Sequence, residues 1–262
     1  MSSQPEQNDT PVETASPSST QTIIPTLHIL SSSQAFRTLW LLEEIALAHP
    51  NFQFYISKIA RHMPPYPELG KIHPLGKSPI LTLTTTDSSP LPCPQIHPGV
   101  LTESRLILLY LTQTFAPDLF IPEAKDLERD TFFQEFANST FASRTTFSVL
   151  FQSPGDVMPW GISHIWRAIT SPILSHFHKD DLVMYAYLEE QLSEEKPWFG
   201  GARIGLSDFN ASWAMDNAHA RGYFDGAKWP RLEKWRKMYT EREGYRRALE
   251  KGGKYDLSTS RW

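Results

Sequence analysis

Three consecutive serines, Ser31, Ser32 and Ser33, stand where a short strand-like run (26–30) gives way to an apolar segment (36–47). Serine followed by helical apolar periodicity marks a helix start. By itself such a serine is a cap worth about 1 kcal/mol. A second set of residues lies further on. His73, Lys77, Ser78 and Pro79 lead into an alternating run, 79–85, and the pair Glu103-Ser104 opens a helical pattern over 102–115. The N-H groups at a helix start near Ser104 suit an anionic carboxylate, and Glu103 can accept from an ammonium. Together these groups fit an amino-acid head group.

The elements that must position them follow from pattern. Strand 26–30, helix 36–47 and strand 52–59 form a βαβ unit with a parallel pair. The helix carries apolar residues on more than one face, so both faces should be covered. A Pro-rich, basic loop follows. Strand 79–85, a turn at 87–90 and a returning strand over 95–101 make a hairpin, and helix 102–115 closes the unit with Leu106, Leu109 and Tyr110 on one stripe. From Glu123 onward the patterns are helical, broken at 153–159, 197–205 and 229–230. The fold class is therefore α/β plus all-α. Its parts are a polar, disordered extension (1–25), a βαβ-ββα domain (26–116) and an all-helical domain (123–262).

Composition narrows the function. The 262 residues contain 21% charged and 40% hydrophobic residues, a globular balance. Lys plus Arg number 25 and Asp plus Glu 29, a formal charge of −4, so no basic surplus serves nucleic acid. One cysteine, Cys93, closes no disulfide within the chain and suits a reducing, cytoplasmic setting. No apolar run approaches the length of a membrane span. His176 and His178 diverge on a helix and no metal-binding pattern occurs, so no metal is expected. The six phenylalanines between 132 and 151 are spaced mostly as core, with at most two left for a pocket. The glycine-rich run 200–205 follows helix and reads as a turn.

Five ordered motifs carry a resemblance: SSSQAFRTLWLLEE from Ser31, KIHPLGKSPIL from Lys71, LTESRLILLYL from Leu101, the helix start Gly205-Leu206-Ser207-Asp208, and WPRLEKWRKMYTEREGYRRALE from Trp229. In these the chain resembles the glutathione S-transferase superfamily, and especially a serine-type fungal branch of it. The resemblance implies a thioredoxin-like domain followed by an all-helical one. It also implies reduced glutathione as co-substrate with no prosthetic group, a small and mostly apolar electrophile as second substrate, and a homodimer. It implies detoxification or a secondary-metabolite step, with a non-catalytic glutathione-binding module as the alternative. Carried over by position, Ser33 is the catalytic serine, with Ser32 as rival in the serine cluster. Glu103 and Ser104 hold the γ-glutamyl group, Ser78 with Pro79 the cysteinyl backbone, and Lys77 the glycyl carboxylate; His73 and Arg37 are further contacts. Gln34 stands where relatives often have Arg, and Gly205 where they have a Ser or Thr cap.

Overall fold

The computed structural model describes residues 21–62 and 64–259, so the extension expected over 1–25 lies outside the described residues as far as position 20. Strand β1 (Ile23–Leu30) begins earlier than the pattern marks. Ile23 and Ile24 pair with Thr85 and Thr84, so residues 23–25 belong to the sheet rather than the extension. With β2 (Tyr55–Ile59), β3 (Ile80–Thr85) and β4 (Val100–Leu101), the sheet order is β2-β1-β3-β4. The β1–β2 pair is parallel and the other two are antiparallel. A parallel pair needs a crossover, supplied by α1 (Ala35–Ala48).

Every residue of α1 from 35 to 45 is buried, as the two-faced apolar pattern requires. The sheet and α3 (Ser104–Phe115) cover one side, and helices of the second half cover the other. The stripe expected on α3 is wrong in phase. Ile107, Leu108 and Leu111 are buried, while Leu106 is 42% exposed. The run is apolar nearly all round, so docking against α1 chooses the face. A six-residue helix, α2 (Pro67–Ile72), occupies what reads as loop; Pro67 sits at its first turn and Leu69 is its buried anchor. The returning hairpin strand shrinks to two residues.

The second half is helical, which completes a thioredoxin-like domain followed by an all-helical one. It comprises α4 (Leu127–Glu135), a π-helical turn (Phe136–Phe141), α5 (Ala142–Val157), α6 (Trp160–Glu190), α7 (Leu206–Ala220), α8 (Pro230–Thr240) and α9 (Glu243–Gly252). The break expected over 153–159 is confined to Met158 and Pro159.

Helix α7 packs on α1, and its start is built from a distance. Asp208 accepts from the amides of Phe199 (2.8 Å), Gly200 (3.2 Å) and Gly205 (2.9 Å) and from Trp235 Nε1 (2.7 Å). Asp130 of α4 accepts from Ser207 N (3.0 Å) and Ser207 Oγ (2.6 Å), the bonds a local cap would make. This explains the glycine at 205, because a Cβ there would collide with Asp130 Oδ1 and come within 3.0 Å of Gly200 Cα. The cap has moved to α4. At the other end of α7, Asp216 accepts from the hydroxyls of Tyr239 (2.6 Å), Tyr245 (2.9 Å) and Tyr255 (2.8 Å). Tyr255 also stacks on Phe36 with ring centroids 3.8 Å apart. The C-terminal segment is thereby pinned against α1.

Candidate functional site

The loop between β1 and α1 separates the three serines. Ser33 is buried; its Oγ accepts from Ala35 N (3.2 Å) and its carbonyl from Phe36 N (3.2 Å), a helix-start geometry. Accepting uses a lone pair, so the Ser33 hydroxyl keeps its own hydrogen to donate. Ser32 adopts a left-handed backbone, φ 52°. Its Oγ accepts from Asp256 N (3.1 Å) and donates to Lys254 O (3.4 Å). That hydroxyl is committed to the C-terminal segment.

Ser78 precedes a cis peptide bond to Pro79. Its hydroxyl donates to His28 O (3.1 Å) and accepts from Leu30 N (3.0 Å), sealing β1 just before β3 pairs with it. What Ser78 can offer a ligand is therefore backbone. Across the groove, Glu103 holds φ 64°, a left-handed conformation that non-glycine residues adopt uncommonly. The turn that forces it is fixed by Gln95, whose Nε2 donates to Thr102 O (2.9 Å) while Oε1 accepts from Thr102 N (2.9 Å). The amide side chain replaces the missing part of the returning strand.

His73, Lys77, Ser78, Pro79, Glu103 and Ser104 line one groove of about 190 Å³, together with Gln34, Leu75 and Thr102. Lys77 is exposed, and His73 Nδ1 accepts from Leu75 N (3.4 Å). Gln34, Glu103 and Ser104 also border a larger cavity of about 590 Å³ that runs along α5 to Phe147 and Leu150. Of the six phenylalanines, Phe147 alone lines a cavity among those described.

Arg37 departs from the expected contact. It borders the larger cavity, but Nη1 donates to Asn210 O (2.6 Å) and Nη2 to Gln34 Oε1 (2.6 Å). Burial pushes its guanidinium down to about 10, still charged at neutral pH. Its geometry makes it a support for Gln34. Gln34 and Gln95 are the positions that sequence reading did not select. An uncharged amide in a loop carries no local signal, although Gln34 stood out as a departure where relatives often have Arg.

On the other side of the serine loop lies a cavity of about 400 Å³, bounded by Ser31, Ser32, Arg61, α5, α7 and the C-terminal segment. The small groove and this cavity thus flank Ser33, which itself lines neither. A compound in each would meet near the start of α1.

Comparisons with known proteins agree with this layout. Residues 178–243 match the family described as glutathione S-transferase, C-terminal domain. Glutathione S-transferase 1 of Saccharomyces cerevisiae is 24% identical over 229 residues, spanning 86% of this chain and 94% of that protein. Glutathione S-transferase 3 of Schizosaccharomyces pombe is 24% identical over 230 residues, spanning 86% of each. Among solved structures, a glutathione S-transferase of Actinobacillus pleuropneumoniae superposes with a TM-score of 0.63 at 21% identity, over 89% of this chain and 95% of that one. A glutathione transferase of Phanerochaete chrysosporium, solved with oxidized glutathione, gives a TM-score of 0.61 at 17% identity, over 89% and 96%. At these identities the structures attest a shared fold. In that fold, in its C-terminal domain and in its two yeast relatives, the chain is similar to proteins of the glutathione S-transferase superfamily.

Proposed function

We propose that this protein transfers reduced glutathione to a small electrophile, with Ser33 as the residue that stabilises the thiolate. The observation that carries the reading is the convergence of His73, Lys77, Ser78, Pro79, Glu103 and Ser104, drawn from separated stretches of sequence, on one groove beside the start of α1. In that groove the γ-glutamyl ammonium meets Glu103 and its carboxylate meets the first amides of α3 and Ser104. The cysteinyl backbone pairs with Ser78, and the glycyl carboxylate meets Lys77. Such holding places the sulfur near Ser33.

A free thiol has a pKa of about 8.5 and is mostly protonated at neutral pH. A hydroxyl donor and the positive end of α1 both favour the anion. The thiolate then attacks the electrophile, forming a carbon–sulfur bond with no covalent bond to the protein. No prosthetic group takes part. The two routes, detoxification and a biosynthetic step, share this chemistry, and we place the protein in the cytoplasm. Among the described residues no helix is long and apolar enough to cross a membrane.

One observation favours the non-catalytic alternative. Ser33 is only 6% exposed and already serves the helix start. Ultraviolet titration of bound glutathione decides between them, measured with turnover in Ser33→Ala and Ser32→Ala. One hydrogen bond to a charged group is worth about 1.5–3 kcal/mol, so Ser33→Ala should slow turnover roughly ten- to a hundredfold and raise the thiolate pKa. An unchanged thiolate pKa in Ser33→Ala refutes the assignment, and an effect confined to Ser32→Ala moves it one residue upstream.

A homodimer belongs to the same proposal. It is supported by an exposed apolar stripe on α6, where Ile162, Ile165, Ile169 and Ile173 recur at helical spacing. Sedimentation of the full chain at micromolar concentration checks it, and a lone 30.0 kDa species counts against it.

A further inference from the structure

The 400 Å³ cavity beside the serine loop has a charge pattern that the transferase reading does not require. Arg61, Arg221 and Lys254 all line it, against one carboxylate, Asp256. Their partners differ. Arg221 donates through Nη1 to Asp156 Oδ2 (3.4 Å) and to Gln152 Oε1 (3.2 Å), so its charge is largely answered behind the wall. Asp256 accepts from Ser258 N (3.0 Å) and Ser258 Oγ (2.6 Å).

Arg61 has no such answer. Its Nε donates to Ser31 O (2.8 Å) and its Nη2 to Ser32 O (3.3 Å). Among the described residues it has no carboxylate within ion-pair distance, and burial lowers its pKa while Tyr66 partly restores it. A half-buried guanidinium held by two carbonyls retains charge to share with a ligand. Lys254 is exposed at the rim, and its carbonyl accepts from Ser32 N (3.1 Å). Val149, Trp213 and Leu257 supply apolar wall. The indole N-H of Trp213 is buried without a partner among the described residues.

We propose that the second substrate is an acid: an electrophile of aromatic-ring size whose carboxylate sits between Arg61 and Lys254 and whose apolar body lies on Val149, Trp213 and Leu257. This rests on the transferase reading above. Because Arg61 grips the carbonyls of Ser31 and Ser32, the anionic end is held beside the residue proposed to hold the thiolate. An apolar cavity without those cations would select neutral compounds instead. The structure assigns charge as the selecting feature.

The test uses a matched pair, 4-chloro-3,5-dinitrobenzoate and its methyl ester, with glutathione. In both, the thiolate sulfur bonds to the ring carbon bearing chlorine, chloride leaves with its electron pair, and the thiol proton goes to solvent. Each kcat/KM is divided by the rate constant for free glutathione with the same compound. The full-length protein should favour the acid over the ester by about tenfold, the effect of one good charged contact. Arg61→Gln should erase most of that ratio. Lys254→Gln, at an exposed position, should narrow it about threefold. An ester turned over as well as the acid, or a ratio untouched by both variants, overturns the proposal. Calorimetric titration with the unreactive 3,5-dinitrobenzoate and its methyl ester separates the two readings and tests the cavity even if Arg61→Gln folds poorly. Tighter binding of the acid without turnover of either chloro compound sinks the transferase reading and keeps the anionic site. Equal binding of acid and ester sinks the anionic site.

Discussion

Replacing Gly205 by serine should damage this protein although serine is the better helix cap, and the same replacement should be stabilising once Asp130 has been removed. The new Cβ of Gly205→Ser would occupy the place of Asp130 Oδ1 and crowd Gly200. Overpacking of this kind costs about 1–3 kcal/mol. Asp130→Ala alone removes the acceptor of Ser207 N and Ser207 Oγ and also frees Gln134 Nε2, which donates to Asp130 Oδ2 at 2.7 Å. Bonds to a charged group are worth about 1.5–3 kcal/mol each, offset by relief of a buried charge, so about 3 kcal/mol is the expected loss. In the double variant the collision with Asp130 is gone, leaving only the looser contact with Gly200, and the introduced hydroxyl can cap α7 locally, recovering about 1 kcal/mol. Independent effects would sum to about 5 kcal/mol, whereas the double variant should lose about 2. Denaturant unfolding of the four proteins gives the coupling directly. Additivity within about 0.5 kcal/mol would refute the idea that α4 supplies the cap of α7.

Asp208 yields a pH dependence. Desolvation, outweighing its N-H donors, pushes its carboxyl up to about 6. A carboxyl raised above its unfolded value of about 3.9 adds stability that is full at low pH and is lost as pH rises through about 6. The stability of the wild type relative to Asp208→Asn should therefore fall by roughly 2 kcal/mol between pH 4 and 7, and a flat difference in denaturation midpoints rejects this. Gln95→Ala should raise the KM for glutathione up to about thirtyfold, through two lost bonds of about 1 kcal/mol each, with the thiolate pKa unchanged. An unaltered KM would show that the turn before α3 holds without it. Tyr255→Phe keeps the stack on Phe36 but loses the bond to Asp216; a thermal scan should report destabilisation of about 1.5–3 kcal/mol, and an unchanged melting temperature contradicts the pinning of the C-terminal segment.

Much of the first domain was legible because β1, α1 and β3 each have a period that sequence displays. Alternation marks β3, and an apolar surface on all sides marks α1 as internal. The phase of α3 was not legible. In LILLYL almost any stripe is apolar, so only contact with α1 decides that Ile107, Leu108 and Leu111 point inward. Helix α2 escaped because six residues with one buried leucine give no periodicity. For the site, charge and backbone chemistry were visible at Lys77, Ser78, Pro79, Glu103 and Ser104, and the groove gathers them. Arg37 was visible as a charge, but its use was not. Whether an arginine meets a ligand or a carbonyl of a distant helix depends on the docking of α1 against α7. Gln95 is invisible for a related reason, since its amide mimics a strand that the chain does not build.

The clasp between Ser32 and the C-terminal segment bears on how the protein is handled as well as on how it works. Lys254 O and Asp256 N are bound to a serine one position from the proposed thiolate donor. A fusion partner, affinity tag or surface tether joined at the C-terminal end therefore pulls on a segment that roofs the cavity proposed for the electrophile. Preparations anchored by opposite ends should give different kinetic constants for the same polypeptide, with the C-terminally anchored form slower and less selective. For immobilised assays, attachment through the N-terminal end is the choice the fold recommends.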